Sequence, residues 1–207
     1  MIRALAGAAL ALCLAAPAAD ALEYTVRPQQ RGAVIIAQGP IQTGDAAKLR
    51  ALVAQTRGVD EVWFNSPGGA AVEGLVLGRA IRDMGLATRI PKGAMCASAC
   101  SYAFLGGLIR SVDDGGRYGV HMFTAARDDA FIAEVARVVR ESGPQGAAQV
   151  VMFIEQRSAK LASERARFLV EQRVSLELMT PAFEQDADGM NWLNPQELRR
   201  YNVVNTR

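Results

Sequence analysis

The chain has 207 residues, of which 50% are hydrophobic and 21% are charged, a balance typical of one compact globular domain with a buried core. Its formal net charge of +2 is too small to favour nucleic acid or an anionic membrane as a partner. Lys and Arg do not cluster among aromatic residues either, so nucleic-acid binding is not expected.

The first 21 residues have the pattern of a secretory signal peptide. Arg3 supplies a short positive segment, an apolar run follows it, and residues 19–21 (ADA) form a small-x-small cleavage site. The apolar run is shorter than the roughly 20 residues that a membrane-spanning helix needs. We therefore expect cleavage after Ala21, a periplasmic or secreted protein without a membrane anchor after cleavage, and one domain over residues 22–207.

The rest of the chain alternates short apolar runs with segments of helical spacing. Strands are predicted at residues 33–41, 61–66, 87–90 and 117–123, and helices at 43–56, 70–85 and 98–107. Residues 129–185 are predicted to be mostly helical with a break near 142–146, and residues 194–205 to form a capped helix and a last strand. This alternation indicates an α/β fold with mainly parallel strands. In such sheets, functional residues gather beyond the carboxyl ends of the strands.

The first candidate site is the turn NSPGGA at residues 65–70, which follows a predicted strand. Pro67 fixes φ, while Gly68 and Gly69 allow backbone N–H groups to point at a bound anion or carbonyl oxygen. Just before a helix N-terminus, such a turn can serve as an oxyanion hole. Taken alone, it is more often an ordinary connection.

The second candidate is Ser98, at the centre of the stretch CASAC. If a strand turns into a helix there, the Ser98 Oγ is exposed beside the positive end of the helix dipole, which favours an alkoxide-like transition state. Ala97 and Ala99 leave room for a substrate backbone. The structural alternative is a helix of small residues that packs against the sheet.

The third candidate is His121, the only histidine in the chain, near the end of the next predicted strand. A lone histidine is more often structural than catalytic. A serine hydrolase, however, needs one base with a near-neutral pKa, and His121 is the only candidate. Neighbouring strand ends can bring Ser98 and His121 within hydrogen-bond reach.

These three motifs, in this order and spacing, resemble the proteolytic subunit of the Clp protease. That family carries an SPGG turn, a serine in a turn of small residues and a histidine at the end of a following strand. Residues 191–205 (NWLNPQELRRYNVVN) are also similar to the C-terminal segment of the family. The resemblance runs from about Val34 to Asn205. It implies a ClpP/crotonase-like α/β fold, with a mainly parallel sheet, crossover helices and a helical C-terminal half.

The resemblance also implies roles for the site residues. Ser98 would be the nucleophile and His121 the general base. The backbone N–H groups of Gly69 and Ala99 would form the oxyanion hole, and Gly68 would shape the turn.

The third member of the triad is less well placed by the resemblance. In the family it is an aspartate shortly before the aromatic residue of the C-terminal segment. Alignment from Trp192 puts Met190 there, and one small gap brings Asp188 into place. Asp188 is therefore expected, with Asp186 and Asn191 as alternatives. If none of them reaches His121, the site is a weak dyad or is inactive.

Cys96 and Cys100 flank Ser98. Export to an oxidising compartment favours a disulfide between them. In a regular helix such a pair is at the long edge of acceptable geometry, but Cys96 is expected to precede the helix. A redox pair is disfavoured because the spacing differs from C-x-x-C. Two buried free thiols remain an alternative.

The resemblance implies a serine peptidase that acts on peptides or unfolded proteins, with no cofactor and no metal. The cytosolic family relies on an ATP-driven unfoldase, but ATP is absent from the compartment to which an exported protein is delivered. The chain has no Walker-type loop either, so no unfoldase partner is expected. The long helical region implies a homo-oligomer. The alternatives are a catalytically inactive Clp-like binding protein and an acyl-CoA enzyme on the crotonase scaffold, against which the Ser/His pair argues.

Overall fold

The computed structural model describes residues 21–126 and 128–206. The predicted signal peptide therefore lies outside the described residues, apart from Ala21. The strands are β1 (Glu23–Pro28), β2 (Ala33–Gln38), β3 (Val59–Asn65), β4 (Ala87–Ile90), β5 (Met95–Ala97), β6 (Arg110–Val112), β7 (Arg117–Val120) and β8 (Asn191–Trp192). The helices are α1 (Asp45–Gln55), α2 (Ala71–Asp83), α3 (Ala99–Leu105), α4 (Asp129–Glu171), α5 (Met179–Glu184) and α6 (Pro195–Arg200), with a 3-10 turn at Leu176–Leu178.

The strands form two sheets. The first has the order β1-β2-β3-β4-β6, in which β2, β3, β4 and β6 run parallel and β1 pairs antiparallel with β2. The second has the order β5-β7-β8, with β5 parallel to β7 and β8 antiparallel to it. The expected mixed α/β architecture with a mostly parallel sheet is confirmed.

The core lies between the sheets and the helices that cover them. Its large, fully buried side chains come from both sheets and from α2 and α3, and include Ile35, Phe64, Leu77, Phe104 and Tyr118. Helices α2 and α3 pack so closely that an added methyl group at Gly74 would overlap the Ala99 carbonyl, and one at Gly106 would overlap the Gly78 carbonyl. This contact holds the first turn of α3 firmly against the core.

The long helix α4 is interrupted at Gly143, where φ is 57° and ψ is −138°, and Pro144 follows. The predicted break near residues 142–146 is therefore confirmed. The two arms fold back on each other, since the rings of Phe131 and Phe153 lie 6.3 Å apart. Within the described residues, no helix is both long enough and apolar enough to cross a membrane.

The predicted last strand is wrong. Residues 201–203 form a turn after α6, with Asn202 at a φ of 56°. The buried Arg110 guanidinium donates hydrogen bonds to the carbonyls of Asn202 and Val203, at 2.8 and 2.9 Å, and this holds the backbone out of strand pairing. The predicted helix cap is confirmed, because Asn194 and Glu197 form a capping box at the start of α6.

Candidate active site

Ser98 joins β5 to α3 and is the N-cap residue of that helix, with φ at 55° and ψ at −124°. Positive φ is uncommon for a residue with a side chain and costs about 1–3 kcal/mol when it lies in a sparsely populated region. A strained turn from a strand into a helix is a known way to expose a nucleophile. The turn is held from both sides: the Ser98 N–H donates to the Gly119 carbonyl at 3.1 Å, and the Ser98 carbonyl accepts from the Ser101 hydroxyl at 2.6 Å.

A disulfide spans this turn. Cys96 in β5 and Cys100 in α3 are bonded, their Cα atoms lie 5.2 Å apart, and both side chains are fully buried. The predicted disulfide is confirmed. Cys96 belongs to the strand rather than the helix, so the Cα separation falls within the usual range for disulfides.

His121 directly follows β7, the strand that pairs with β5. The register is parallel and aligns Ala97 with Gly119, so Ser98 and His121 both lie just beyond the carboxyl ends of adjacent parallel strands. The Ser98 hydroxyl makes no hydrogen bond with any described residue, so a closed serine–histidine pair is not formed in this conformation. Such bonds often tighten only when substrate binds.

The backbone carbonyl of Ala187 faces the His121 ring, 3.0 Å from Nδ1. A carbonyl oxygen only accepts hydrogen bonds, so this contact requires the proton on Nδ1. The lone pair of the neutral ring is then on Nε2, as a general base for a neighbouring hydroxyl requires.

The expected third members of the triad lie close to Ala187 in the chain. Asp186 and Asp188 are exposed, and the Asn191 amide donates to the Pro181 carbonyl at 3.4 Å. The assignment of Asp188 therefore stays a prediction. Sequence reasoning missed the Ala187 carbonyl, for which no side-chain signal exists.

The turn at residues 66–69 runs alongside the Ser98 turn. The Ser66 N–H donates to the Met95 carbonyl at 2.8 Å, and the Ala97 N–H donates to the Ser66 carbonyl at 3.1 Å, so Ser66 pairs with Cys96 as a short parallel bridge. The backbone ladder therefore sets the distance between the glycine turn and the serine turn.

Gly68 directly contacts the serine turn. Its φ is +103°, and an added Cβ would lie 2.6 Å from both the Ala97 carbonyl oxygen and the Ser98 Cβ, and 3.0 Å from the Ala99 nitrogen. Both the backbone angle and the lack of space require glycine here.

Two backbone N–H groups beside this contact have no acceptor within the described part of the chain. The Ile41 N–H donates to the Gly68 carbonyl and the Ala70 N–H donates to the Ile41 carbonyl, so the Gly69 N–H points away from Ile41. Ala99 opens α3, where backbone N–H groups have no partner within the helix. Neither the Gly69 nor the Ala99 N–H donates to another described residue. Their assignment to an oxyanion hole stays a prediction.

A buried charge near the site was not predicted. Arg165 on α4 is only 3% exposed and its guanidinium lies beside the rings of Tyr102 and Phe123. Arg165 lies four residues after Leu161 and three before Phe168, so helical spacing puts it on the buried face of α4. That spacing could have predicted its burial from the sequence. Within the described residues, no three His, Cys, Asp or Glu side chains are grouped so as to hold a metal ion.

No protein-family model and no curated protein matches the chain. In contrast, 328 chains of known structure are similar to it, and one of them is a mutant of ClpP1 from Listeria monocytogenes. The two chains are 18% identical and superpose with a TM-score of 0.51, over 83% of this chain and 88% of the Listeria chain. At this identity the likeness concerns the fold alone, and it supports a ClpP-like fold for this chain.

Proposed function

We propose that this chain is a serine peptidase of Clp type that cleaves peptides or unfolded proteins, with Ser98 as nucleophile and His121 as general base. One observation carries the proposal: Ser98 has a positive φ at the turn between β5 and α3, and the only histidine of the chain follows the adjacent parallel strand. The ClpP-like fold agrees with this function.

The proposed reaction follows from the groups around Ser98. His121 Nε2 takes the proton of the Ser98 hydroxyl as Oγ attacks the carbonyl carbon of the scissile peptide bond. The negative charge that develops on the carbonyl oxygen is stabilised by the Gly69 and Ala99 N–H groups, each typically worth about 100–1000-fold in rate. His121 then gives the proton to the leaving amine, and water releases the acyl group from Ser98 by the same sequence.

The contact between His121 and Ala187 bears on the speed of this reaction. The carbonyl keeps the ring in the required tautomer, but as a neutral group it stabilises the imidazolium less than a carboxylate does. We retain Asp188 as the proposed third member because it adjoins Ala187 in the chain. If Asp188 takes that role, Asp188→Asn lowers kcat by orders of magnitude; if Asp188 takes no part in orienting His121, kcat is nearly unchanged.

Labelling with a fluorophosphonate probe tests the proposal. We expect the parent protein to be labelled on the peptide that contains Ser98, Ser98→Ala to be unlabelled, and His121→Ala to be labelled at least about 100-fold more slowly. Ser142→Ala, which changes an exposed serine far along the chain, is the control and should be labelled like the parent. A folded parent protein that resists labelling and cleaves no peptide would overturn the proposal.

A second candidate function is that of a catalytically inactive Clp-like protein that binds peptides. Two observations favour it: among the described residues a backbone carbonyl, not a carboxylate, faces His121 Nδ1, and the Ser98 hydroxyl is not hydrogen-bonded to any of them. This candidate predicts that unfolded peptides bind the parent and the Ser98→Ala variant equally and are not cleaved by either.

We further propose that the protein acts in the periplasm after removal of residues 1–21. The Cys96–Cys100 disulfide supports this, because such bonds persist mainly in oxidising compartments. Without ATP in that compartment, an ATP-driven unfoldase has no role, and the substrates are peptides or proteins that are already unfolded. The test is the intact mass of protein recovered from the periplasm of a bacterial host, where we expect an N-terminus at Leu22. A full-length chain confined to the cytoplasm would contradict it.

We also propose that the chain forms a homo-oligomer, and that no nucleic acid or membrane is a partner of the processed chain. The support for self-association is a run of four exposed apolar residues on α4, from Val151 to Ile154. Exposed apolar clusters of this kind are typical of protein–protein contacts.

A further inference from the structure

Arg165 is a buried charge without a counter-charge among the described residues. Its side chain is 97% buried, and its Nε and Nη1 atoms have no hydrogen-bond partner among the described residues. None of the ion pairs formed by the described residues includes it. Because burying an unpaired guanidinium is costly, its N–H groups need an acceptor, and a bound ligand can supply one.

The surroundings of Arg165 favour a negatively charged ligand. Its Cζ atom lies 4.9 Å from the centre of the Tyr102 ring and 5.1 Å from the centre of the Phe123 ring. The ring faces attract the cation and exclude water, but they accept no hydrogen bonds in the plane of the guanidinium. The in-plane Nε–H and Nη1–H groups therefore lack an acceptor among the described residues, and they match a planar acceptor such as a carboxylate in a two-point geometry.

Tyr102 adds a second donor to this cluster. Its hydroxyl makes no hydrogen bond with any described residue, and it belongs to the same ring that contacts Arg165. Burial raises the pKa of Tyr102, so the hydroxyl stays protonated at neutral pH and can donate. Phe123, the third side chain of the cluster, is half-buried.

The cluster of Arg165, Tyr102 and Phe123 adjoins the proposed catalytic pair. Tyr102 lies on α3 one turn after Ser98, about 6 Å along the helix axis. Phe123 follows His121 by two residues, a span of at most about 7 Å. The Arg165 guanidinium is therefore on the order of 10 Å from the nucleophile, within reach of a substrate group one or two residues from the scissile bond.

We propose that Arg165 binds a carboxylate of the substrate, so that the enzyme selects peptides with a negative charge close to the scissile bond. This inference rests on the proposed peptidase function and adds a substrate class to it. The carboxylate is either the side chain of an acidic residue or the free C-terminus of the peptide. The same recognition chemistry serves both, and the experiment separates them.

The test uses four internally quenched peptides of one sequence, with Glu or Gln before the scissile bond and with a free or an amidated C-terminus. We expect kcat/KM of the parent protein to be roughly 10- to 100-fold higher for the peptide with the recognised carboxylate than for its neutral counterpart. A preference that follows Glu identifies the side chain, and one that follows the free C-terminus identifies the terminal carboxylate. In Arg165→Met the ratio falls to about one, whereas in Arg165→Lys, which keeps the charge without the planar fork, it falls only partly.

Arg167→Met is the matched control, since it removes a positive charge two residues away on the exposed face of α4. It should keep the parental ratio. If the active parent protein cleaves all four peptides alike, or if Arg165→Met keeps the parental ratio, the proposal fails. It also fails if Arg165→Met dissociates an oligomer while the ratio persists, because Arg165 then pairs with a second copy.

A binding measurement separates this proposal from the peptidase function. The Ser98→Ala variant is titrated with the same peptides by fluorescence anisotropy, with and without Arg165→Met. We expect Kd for the carboxylate peptide to be about tenfold lower than for the neutral peptide, and this difference to vanish when Arg165 is replaced. If the protein is never labelled but shows this difference in Kd, the peptidase proposal is rejected and the carboxylate site is supported. If the protein is labelled but shows no difference in Kd, the peptidase proposal is supported and the carboxylate site is rejected.

Discussion

Among single residues, Gly68 is the one that lets the proposed oxyanion turn lie directly against Ser98. Its Cα position leaves no space for a side chain, because the Ala97 carbonyl and the Ser98 Cβ occupy it. The strained angle of Ser98 and the glycine contact therefore depend on each other. A change at Gly68 acts directly on Ser98, the proposed nucleophile.

We expect Gly68→Ala to lower the rate of fluorophosphonate labelling at least about 100-fold, because the added methyl group displaces the Ser98 turn from the Gly69 N–H, a proposed oxyanion donor. Gly44→Ala is the control, since Gly44 has a similar φ of +97° but nothing within 4 Å of an added Cβ. Both variants bear the cost of an alanine at positive φ, about 1–2 kcal/mol, but only Gly68→Ala has the overlap. Equal labelling of the two variants would contradict the geometry.

The contact between His121 and Ala187 predicts which ring nitrogen carries the proton. We expect the neutral imidazole to be the Nδ1–H tautomer, because the Ala187 carbonyl accepts from that position at 3.0 Å. Nitrogen-15 NMR of the ring measures this directly, and the assignment is simple because the chain has one histidine. The Nε2–H tautomer, measured above the pH at which the ring loses its charge, would rule out the contact.

The proposed nucleophile and base have signals in the sequence, whereas the group behind the proposed base has none. Ser98 lies in a turn of small residues, and His121 is the only histidine, so each has a residue-type signal. The Ala187 carbonyl has none, because every residue has a backbone carbonyl and only the path of the chain brings this one to the ring. The unpartnered state of Arg165 likewise depends on packing that one sequence does not specify.

The disulfide acts at the scale of elements, since it joins strand β5 to helix α3 across the Ser98 turn. The two cysteines are four residues apart, so the closed loop is short and the loss of unfolded-state entropy is small. The bond therefore fixes local geometry more than it stabilises the whole fold.

We expect a reducing agent to lower the free energy of unfolding by about 2 kcal/mol, the value for a loop of this length. We also expect it to slow the labelling of Ser98, because both sides of the turn then move independently. Denaturant titration with and without the reductant measures the first effect. The double variant Cys96→Ala/Cys100→Ala should show no response to reductant, and a parental stability unchanged by reductant would contradict the prediction.

Elements with a periodic apolar pattern were predicted within a few residues of their ends, as for α1, α2 and β4. Strands β1, β5, β6 and β8 were missed. β5 and β6 have three residues each and β8 has two, and each exists because a longer neighbour pairs with it. The predicted last strand failed for the opposite reason, since Arg110 binds the carbonyls that a strand partner would use.

Helix α4 carries the exposed apolar surface that is proposed to mediate self-association. Val151 and its three following neighbours are apolar and lie in solvent, whereas the residues around Phe168 on the same helix pack into the core. A helix that is apolar in one arm without covering the core is suited to contact a second copy of the chain.

We expect the protein to sediment as an oligomer at micromolar concentration, and Val151→Arg to lower its mass, because a charge in an apolar contact is costly to bury. Sedimentation velocity or light scattering measures the mass. Ile109→Arg is the control, since Ile109 is 58% exposed and Val151 is 55% exposed, but Ile109 lies outside α4. A monomeric parent protein, or equal masses for the two variants, would contradict the proposed self-association.

The bridge between Ser66 and Cys96 joins the two sheets beside the site through backbone hydrogen bonds. Main-chain groups thus set the spacing between the glycine turn and the serine turn, and few side chains take part. A scaffold of this kind tolerates extensive sequence divergence, which agrees with a similar fold at 18% identity to the Listeria protein. For engineering, it means that the side chains around the site, Arg165 first among them, can be exchanged to redirect specificity while the backbone geometry stays in place.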